Sequence, residues 1–379
     1  MKILYISTPS YTDTDVPLLK SLIAAGNDII YLISIYGRVN STLISLDDHH
    51  DKVGIYKWTD YKELGFITSY VRTDNVYVIS RKNRKSLSEA MTVCSLLQRI
   101  VDEQNPDVIH QIDLPYINML PFLIRNRRRY VLTIHDPIPH VGESSWKLSL
   151  SRRIIFPFIK KIIILNDVAR DRFVKMYCLP NKKVYVSRLG FLDWMNQFVS
   201  DKVKKDYILF YGRISPYKGV EYLLQSMETV HSSFPNTKLI VAGKGDFYFD
   251  ISRYKASDYI SFINRYIELD ELSNLIYNSR FVVCPYIEAT QSGVVASVLA
   301  LGTPIIVTRV GALPDMVEDN VTGIIIPPKD TEALTNVITR LLSDDSLLDS
   351  MKNAICSQKK QGNYSWDSIA VLTENIYKA

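Results

Sequence analysis

Cysteines, long apolar runs and secretion signals are scarce or absent in this chain, and each absence excludes a class of protein. The four cysteines, Cys94, Cys178, Cys284 and Cys356, are far apart and match neither a disulfide framework nor a metal-binding spacing. No window reaches the roughly 18 uninterrupted apolar residues of a transmembrane helix. Residues 1–7 lack the apolar core and the cleavage site of a secretory signal. We therefore expect free thiols in a reducing cytoplasm.

The charge of the chain is divided unequally between its two halves. A length of 379 residues, with 47% hydrophobic and 22% charged residues, is typical of a soluble protein with two domains. Residues 1–190 carry 27 basic and 18 acidic side chains, a net charge of +9, whereas residues 191–379 carry 18 and 22, a net charge of −4. The basic half predicts an anionic partner. Because no motif for RNA or DNA recognition accompanies it, we expect no nucleic-acid partner.

Apolar runs alternate with amphipathic stretches, which predicts two α/β domains with mostly parallel sheets. The expected strands are 2–7, 28–33, 76–80, 108–111, 130–135, 161–165, 183–187, 207–211, 238–242, 260–263, 281–285, 304–308 and 323–326. The expected helices are 18–25, 86–104, 219–234, 269–279, 293–300, 331–343 and 365–377. We place an N-terminal domain at 1–190, a C-terminal domain at 191–362 and a final helix in 363–379.

A loop with two cations follows the predicted strand 207–211. Arg213 and Lys218 lie between Gly212 and Gly219, and a helix is predicted to begin near Gly219. Arginine, lysine and a helix N-terminus all bind phosphate, and α/β sheets hold anionic ligands beyond the carboxyl ends of their strands. A solvated surface loop is the alternative, but the combination favours a diphosphate site.

A second loop, 286–293, precedes the predicted helix 293–300. The backbone amides near Ser292, Gly293 and Val294 would be unpaired at the helix start. Glu288 could accept hydrogen bonds from sugar hydroxyls. The alternative is that Thr290 or Ser292 only caps the helix, which is compatible with a bound ligand. The two loops together predict a site for a nucleoside diphosphate.

Several segments, in order along the chain, resemble glycosyltransferase family 4. They are residues 210–223, 241–245, 284–293, 300–308 and 311–323. The resemblance implies retaining enzymes of the α/β GT-B fold, in which two Rossmann-like domains face each other across a cleft. The first domain would bind the acceptor and the second the nucleotide-sugar donor, and the last helix would return to the first domain.

The resemblance also implies a set of donor contacts. Arg213 and Lys218 would bind the diphosphate together with Ser292, Gly293 and Val294. The residues that would border the nucleotide and the donor sugar are Gly212, Gly243, Arg265, Tyr266, Ile267, Thr290, Gln291 and Ser297.

His135 and Glu288 are the candidate catalytic residues. His135 matches the family position at which a histidine faces the donor sugar; a strand-end histidine bonded to local backbone is the alternative. The family usually has two glutamates with seven residues between them, but Ala289 and Ser297 occupy those positions here. Glu288 lies one residue early, in a Glu-Ala-Thr-Gln-Ser-Gly variant for which we still expect activity.

Asp13 and Asp15 lie in a loop that borders the acceptor in relatives, where the family usually has two glycines. They could bind acceptor hydroxyls or cap the following helix, and both possibilities stay open. Basic segments at 81–85, 125–129 and 146–161 could lie on an anionic membrane, because the last mixes cations with tryptophan, phenylalanine and isoleucine. A solvated basic face is the alternative.

The predicted function is that of a retaining glycosyltransferase, cytoplasmic and possibly peripheral on the inner face of the membrane. It would move a sugar from a nucleotide-diphosphate donor to a glycan or polyprenyl-linked acceptor in bacterial surface polysaccharide synthesis. A non-catalytic nucleotide-sugar-binding subunit and a sugar-nucleotide epimerase of the same fold are the alternatives. We expect neither a metal nor another cofactor, because Arg213 and Lys218 would stabilise the charge of the diphosphate, which is the usual role of a metal ion.

Overall fold

The computed structural model describes residues 1–40, 44–71, 73–138, 146–289 and 292–379, which form two compact domains. The first domain comprises Met1–Leu189 and Trp366–Ala379, and the second comprises Gly190–Ser365. The strands are β1 Lys2–Ser7, β2 Asp28–Tyr36, β3 Val39–Asn40, β4 Ser45–Leu46, β5 Gly54–Lys57, β6 Val76–Arg81, β7 Val108–Ile112, β8 Tyr130–Ile134, β9 Lys161–Ile164, β10 Val184–Val186, β11 Tyr207–Tyr211, β12 Lys238–Ala242, β13 Ile260–Ile263, β14 Phe281–Cys284, β15 Ile305–Thr308 and β16 Gly323–Ile326. The helices are α1 Thr12–Ala24, α2 Leu87–Gln104, α3 Leu120–Asn126, α4 Trp146–Ile155, α5 Arg170–Tyr177, α6 Val220–Ser233, α7 Ser252–Lys255, α8 Leu269–Asn278, α9 Gly293–Ala300, α10 Leu313–Met316, α11 Thr331–Ser343, α12 Asp345–Gln361 and α13 Trp366–Lys378.

The main sheet of the first domain has the strand order β10-β9-β8-β7-β1-β2-β6-β5, and β5 alone among these strands is antiparallel to its neighbour. Side chains of a strand alternate between the two faces of its sheet. In β1, Ile3 and Tyr5 accordingly pack with residues of α1 and α13, whereas Leu4 and Ile6 pack with residues of α2, α3 and α5. Both faces of the sheet are buried, which explains its near-continuous apolar strands.

The last helix belongs to the first domain and is held there by polar contacts as well as packing. The Tyr377 hydroxyl lies 2.6 Å from Nδ1 of His110, whose Nε2 lies 2.7 Å from Oγ1 of Thr133. The Lys161 ammonium donates a hydrogen bond to the Tyr377 carbonyl at 2.7 Å. His110 is therefore a structural residue that joins the sheet to α13.

The second domain has a parallel sheet with the order β13-β12-β11-β14-β15-β16. Its strands at 207–211, 238–242, 260–263 and 323–326 and its helices at 293–300 and 331–343 have the predicted bounds. The α/β class predicted for both domains is confirmed. Within the described residues, no helix is both long enough and apolar enough to cross a bilayer.

Several elements differ from the sequence-based expectation, and three of them have a clear reason. Helix α1 begins at Thr12, six residues early, because Pro17 is accommodated inside the helix instead of preceding it. Strand β5 was missed because an edge strand needs no strongly apolar sequence. Helix α12 was also missed, although Leu348, Met351 and Ile355 bury one face of it at helical spacing.

The three basic segments predicted to lie on a membrane do not form one surface. Arg81 and Arg152 are buried, and Arg152 donates hydrogen bonds to the carbonyl oxygens of Pro137 and Asp136 at 2.9 and 2.7 Å. Residues 82–85 follow the carboxyl end of β6, whereas residues 127–129 precede the amino end of β8 in the same parallel sheet. These two clusters therefore lie at opposite ends of the parallel strands and do not share one surface, and contact of either with a membrane stays a prediction.

Candidate functional site

The two loops predicted to bind phosphate lie side by side in the second domain. Strands β11 and β14 are neighbours in the sheet, yet the chain continues from β11 toward β13 on one side and from β14 toward β16 on the other. Such a topological switch point leaves a crevice beyond the carboxyl ends of the two strands, where α/β proteins hold ligands. The loop 212–219 follows β11 and residues 285–289 follow β14, so both border this crevice.

Lys218 and Tyr286 connect the two loops. The Lys218 ammonium donates a hydrogen bond to the Tyr286 hydroxyl at 2.5 Å and lies 4.0 Å from the centroid of the Tyr286 ring. The backbone N–H of Ile287 donates to the carbonyl of Tyr217 at 2.7 Å. Tyr286 lies within the loop 286–293 but was not among the predicted site residues.

Lys218 is a buried cation. It is 8% exposed, and no carboxylate among the described residues pairs with it. Burial, reinforced by the charge of Arg213 and opposed by the thiol of Cys284, lowers the pKa of Lys218 to about 8. A buried charge without a counter-ion is costly, and a bound anion would remove that cost.

Arg213 is exposed and makes no hydrogen bond or ion pair within the described part of the chain. Its planar guanidinium is thus available for a ligand with paired oxygens, such as a diphosphate. Its positive charge contributes to the lowered pKa of Lys218, so the two cations lie near each other.

Gly212, Lys218 and Val294 meet at one point of the crevice. A Cβ atom on Gly212 would lie 3.5 Å from the Lys218 ammonium and 3.7 Å from a methyl group of Val294. Val294 is in the first turn of α9, where the Ser292 hydroxyl accepts a hydrogen bond from the N–H of Val295 at 3.4 Å. The exposed start of α9 at Gly293 therefore lies beside the buried ammonium.

Two glycines allow the backbone to pack closely around this point. Gly219 has a φ of +62°, and a Cβ atom there would lie 2.1 Å from the carbonyl oxygen of Pro285. Gly243 has a φ of +144°, and its Cβ atom would lie 2.0 Å from the carbonyl oxygen of Gly212. A side chain at either position would push the loop 212–219, which carries both cations, away from the neighbouring loop.

The remaining candidates in these loops occupy different environments. Glu288 is exposed. Ser297 is buried in α9; its hydroxyl donates to the Gly293 carbonyl at 2.8 Å and is also bonded to the Tyr211 hydroxyl. A ligand contact by Ser297 stays a prediction, with that hydroxyl already partnered. Thr290 and Gln291 lie outside the described residues.

The segment predicted to border the nucleotide base follows β13, two strands away from β11. Arg265 forms a bidentate ion pair with Glu271, at 2.7 and 2.8 Å. Tyr266 is exposed, whereas Ile267 is buried. Since Glu271 neutralises the Arg265 side chain, any contact of this segment with a base would involve its backbone or the Tyr266 ring.

His135 lies in the first domain, directly after β8. Its ring stacks on that of Tyr11 with 4.2 Å between the centroids. Burial lowers the pKa of His135 to about 4, so the imidazole is neutral near pH 7. A neutral ring can donate a hydrogen bond from one nitrogen and accept one at the other. The Tyr11 hydroxyl donates to the carboxylate of Asp113 at 3.2 Å, a contact that the sequence analysis missed.

Asp13 and Asp15 are both in the first turn of α1. Asp15 is buried and accepts hydrogen bonds from the hydroxyls of Tyr5 and Tyr31, at 2.9 and 3.2 Å. Desolvation raises the pKa of Asp15 to about 7 and that of Asp13 to about 6. Asp15 is therefore integrated in a buried hydroxyl cluster, and half-buried Asp13 is the more accessible of the two.

Comparisons with known proteins bear on the whole chain. Residues 49–190 match the family model described as Glycosyltransferase Family 4, and residues 205–344 match Glycosyl transferases group 1. An uncharacterized glycosyltransferase of Methanocaldococcus jannaschii is 28% identical over 240 residues, which cover 58% of this chain and 60% of that protein. The alpha-D-kanosaminyltransferase of Streptomyces kanamyceticus is 23% identical over 205 residues, covering 50% and 53%. The chain thus spans little more than half the length of these curated relatives.

Solved structures share the fold over the full length of the chain. Anabaena HepE in complex with UDP superposes with a TM-score of 0.66 over all of both chains, at 14% sequence identity. This similarity confirms the predicted GT-B fold class. Given the two matched family models, the related sequences and the shared fold, residues 49–190 carry a Glycosyltransferase Family 4 domain and residues 205–344 a Glycosyl transferases group 1 domain.

Proposed function

We propose that this protein is a retaining glycosyltransferase that transfers a sugar from a nucleotide-diphosphate donor to a glycan or polyprenyl-linked acceptor. The observation that carries the proposal is the buried Lys218 ammonium, which has no carboxylate partner among the described residues, at the switch point of the second domain beside Arg213 and the start of α9. A diphosphate supplies the two negative charges that this arrangement lacks. HepE was solved with UDP, so UDP is the first nucleotide to test here.

The chemistry that we propose needs charge stabilisation at the leaving group. The bond between the anomeric carbon and the diphosphate oxygen breaks, and Arg213 and Lys218 stabilise the departing charge. The acceptor oxygen forms the new bond on the same face, and its proton passes to the leaving diphosphate. Neutral His135 would hydrogen-bond a donor-sugar hydroxyl, as would Glu288. Because two side-chain cations serve the diphosphate, we expect no metal or other cofactor.

Thermal stabilisation by nucleotide sugars tests the donor site. We expect UDP-sugars, in preference to GDP- and ADP-sugars, to stabilise the wild-type protein by about 2.7 kcal/mol at a hundredfold excess over Kd. Arg213→Ala should lose this stabilisation because the diphosphate loses its bidentate partner. Arg340→Ala, which removes an exposed arginine of α11, is the matched control and should keep it. Equal stabilisation of Arg213→Ala and wild type would contradict the proposed site.

Turnover separates the three functions that remain possible. With a glycan acceptor present, release of UDP with a new glycosidic bond supports transfer. Binding without turnover over a panel of acceptors would favour the non-catalytic subunit, which the missing pair of glutamates allows. Conversion of the donor to its epimer without an acceptor would favour a sugar-nucleotide epimerase. A role in bacterial surface polysaccharide synthesis would follow from an acceptor of that class.

We further propose that the first domain docks on the cytoplasmic face of an anionic membrane through α4. The exposed residues Trp146, Leu150 and Arg153 recur at helical spacing, and Lys147 is exposed beside them. Trp146 is 72% exposed and Leu150 49% exposed, which is unusual for large apolar side chains of a helix. A stripe of apolar side chains flanked by cations suits the interface of an anionic bilayer.

Replacement of Trp146 and Leu150 by serine tests this docking. Because each buried apolar side chain contributes about 1.5–3 kcal/mol, the double variant should bind vesicles containing phosphatidylglycerol at least about tenfold more weakly. Co-flotation with the vesicles measures the loss. The matched control replaces Leu87 and Met91, an equally spaced exposed pair on α2. No loss in the first variant, or a loss only in the control, would refute docking through α4.

A further inference from the structure

A second pocket, whose lining is mostly apolar with a few polar side chains, lies in the first domain, at the carboxyl ends of four adjacent parallel strands, β7, β1, β2 and β6. Its volume is about 110 Å³, enough for several water molecules or one end of a sugar unit. The polar residues that line it are Thr8, Ser34, Tyr36, Arg81, Gln111, Asp113 and Tyr116. Nothing in the proposed donor site uses this pocket.

Arg81 is the unusual member of the pocket lining. It is 1% exposed, and no carboxylate within the described ranges forms an ion pair with it. One terminal nitrogen, Nη2, donates to the carbonyl oxygens of Asn83, Arg84 and Ser86 at 3.1–3.5 Å. Its Nε is buried and has no hydrogen-bond partner among the described residues. The backbone carbonyls satisfy part of this guanidinium, but its charge has no counter-ion.

Aromatic rings form the wall next to this cation. The rings of Tyr36 and Tyr116 meet edge to face, with 5.5 Å between their centroids. The guanidinium of Arg84 lies 4.6 Å from the Tyr36 ring and 5.9 Å from the Tyr116 ring. The Arg81 guanidinium lies 5.5 Å from the Tyr36 ring. The Arg81 guanidinium and two amphipathic rings therefore line one small cavity, and the Arg84 guanidinium lies against the same rings.

Tyr11 connects Asp113 of the pocket lining to His135, the candidate catalytic histidine. Asp113, which lines the pocket, accepts a hydrogen bond from Tyr11, and the Tyr11 ring stacks on His135. A sugar unit held in the pocket would therefore lie close to His135. This position suits the end of an acceptor better than a regulatory ligand.

We propose that this pocket binds an acidic sugar unit of the acceptor, with the anionic group on Arg81 and the sugar ring against Tyr36 and Tyr116. Asp113 and Gln111 accept and donate hydrogen bonds to the sugar hydroxyls. A carboxylate or a phosphate on the sugar would complete the unsatisfied guanidinium. The assignment of the ligand to the acceptor rests on the proposed glycosyltransferase function.

Direct binding tests the proposal with simple probes. The full chain is titrated by NMR or calorimetry with glucuronate, glucose 6-phosphate, glucose and inorganic phosphate. We expect glucuronate or glucose 6-phosphate to bind at least about tenfold more tightly than glucose, because glucose leaves Arg81 without a counter-ion. The tighter of the two identifies a carboxylate or a phosphate as the natural anionic group. Inorganic phosphate binding as tightly as both sugars would overturn a sugar site.

Variants of other residues locate the site. Arg81 itself is not replaced, because its loss would leave the carbonyl oxygens of residues 83, 84 and 86 without their donor and could disturb the fold. Arg84→Gln and Tyr116→Ala change exposed side chains at the rim, and each should weaken binding of the acidic sugar at least about tenfold. Arg172→Gln removes an exposed arginine of α5 and should leave it unchanged. Unaltered binding in both rim variants would overturn the assignment. UDP binding, measured in the same samples, reports separately on the donor site in the second domain.

Discussion

Replacing Lys218 by methionine is expected to lower turnover by about 100- to 1,000-fold, the effect of removing one preorganised group that stabilises a developing charge. The same change should stabilise the protein without nucleotide. Burial holds the pKa of Lys218 near 8, about 2.5 below the ordinary lysine value of 10.5, so the charged form is disfavoured by up to about 3 kcal/mol. Loss of the hydrogen bond to Tyr286 subtracts about 1 kcal/mol from the gain.

The dependence of stability on pH shows whether the Lys218 charge stabilises or destabilises the folded protein. Between pH 8 and the ordinary lysine pKa, the folded state has already lost the proton that the unfolded state retains, so stability rises with pH. Below about pH 8 the penalty is fully present, and in Lys218→Met the part of the rise that comes from Lys218 should disappear, while the part from Lys204 stays. Nucleotide affinity should change in the opposite direction, falling above pH 8 as the ammonium loses its charge.

Melting temperature, UDP affinity and initial rate are measured for the variant and for a matched control. Lys204→Met is that control, since Lys204 also lies over a tyrosine ring and burial also lowers its pKa to about 8. Lys204→Met should keep full turnover because Lys204 precedes β11 and does not lie in a loop that borders the crevice. A Lys218→Met enzyme with wild-type rate and affinity would remove the central support for the donor site.

Replacing Gly219 by alanine should have the second largest effect. At a φ of +62° a side chain costs about 1 kcal/mol, and the new Cβ atom would lie 2.1 Å from the Pro285 carbonyl oxygen. One of the two loops must move, which brings the expected loss of stability to about 3 kcal/mol or more. Because Lys218 and Tyr286 flank this contact, UDP affinity should fall at least tenfold with it.

Gly302→Ala separates the cost of the backbone conformation from that of the collision. Gly302 lies in the same domain with a similar φ of +71°, and its Cβ atom would meet only the Cys356 sulfur at 3.8 Å. We expect a loss of about 1 kcal/mol and unchanged nucleotide affinity. Calorimetric melting measures the loss of stability, and UDP titration measures the nucleotide affinity. Equal losses of affinity in the two variants would show that the close approach of the loops does not shape the site.

Some strands and helices of this chain carry a local sequence signal, and others do not. Strand β11 and the loop after it were predicted with correct bounds, because a short apolar run ending at Gly212 is a local signal. Strand β5 carries little such signal, since an edge strand is specified by its pairing with β6. Helix α12 had an apolar periodicity that could have been recognised.

The amino-acid sequence by itself determined the α/β class, the strand ends with their glycines and cations, and the resemblance of its two halves to glycosyltransferase domains. These properties depend on residues close together in the chain or on motifs in a fixed order. Tertiary structure decided which residues meet: Lys218 with Tyr286, Tyr11 with His135, and Arg81 with the tyrosines of its pocket. It also decided which cations are buried, since the desolvation and pairing of a charge depend on packing between distant segments.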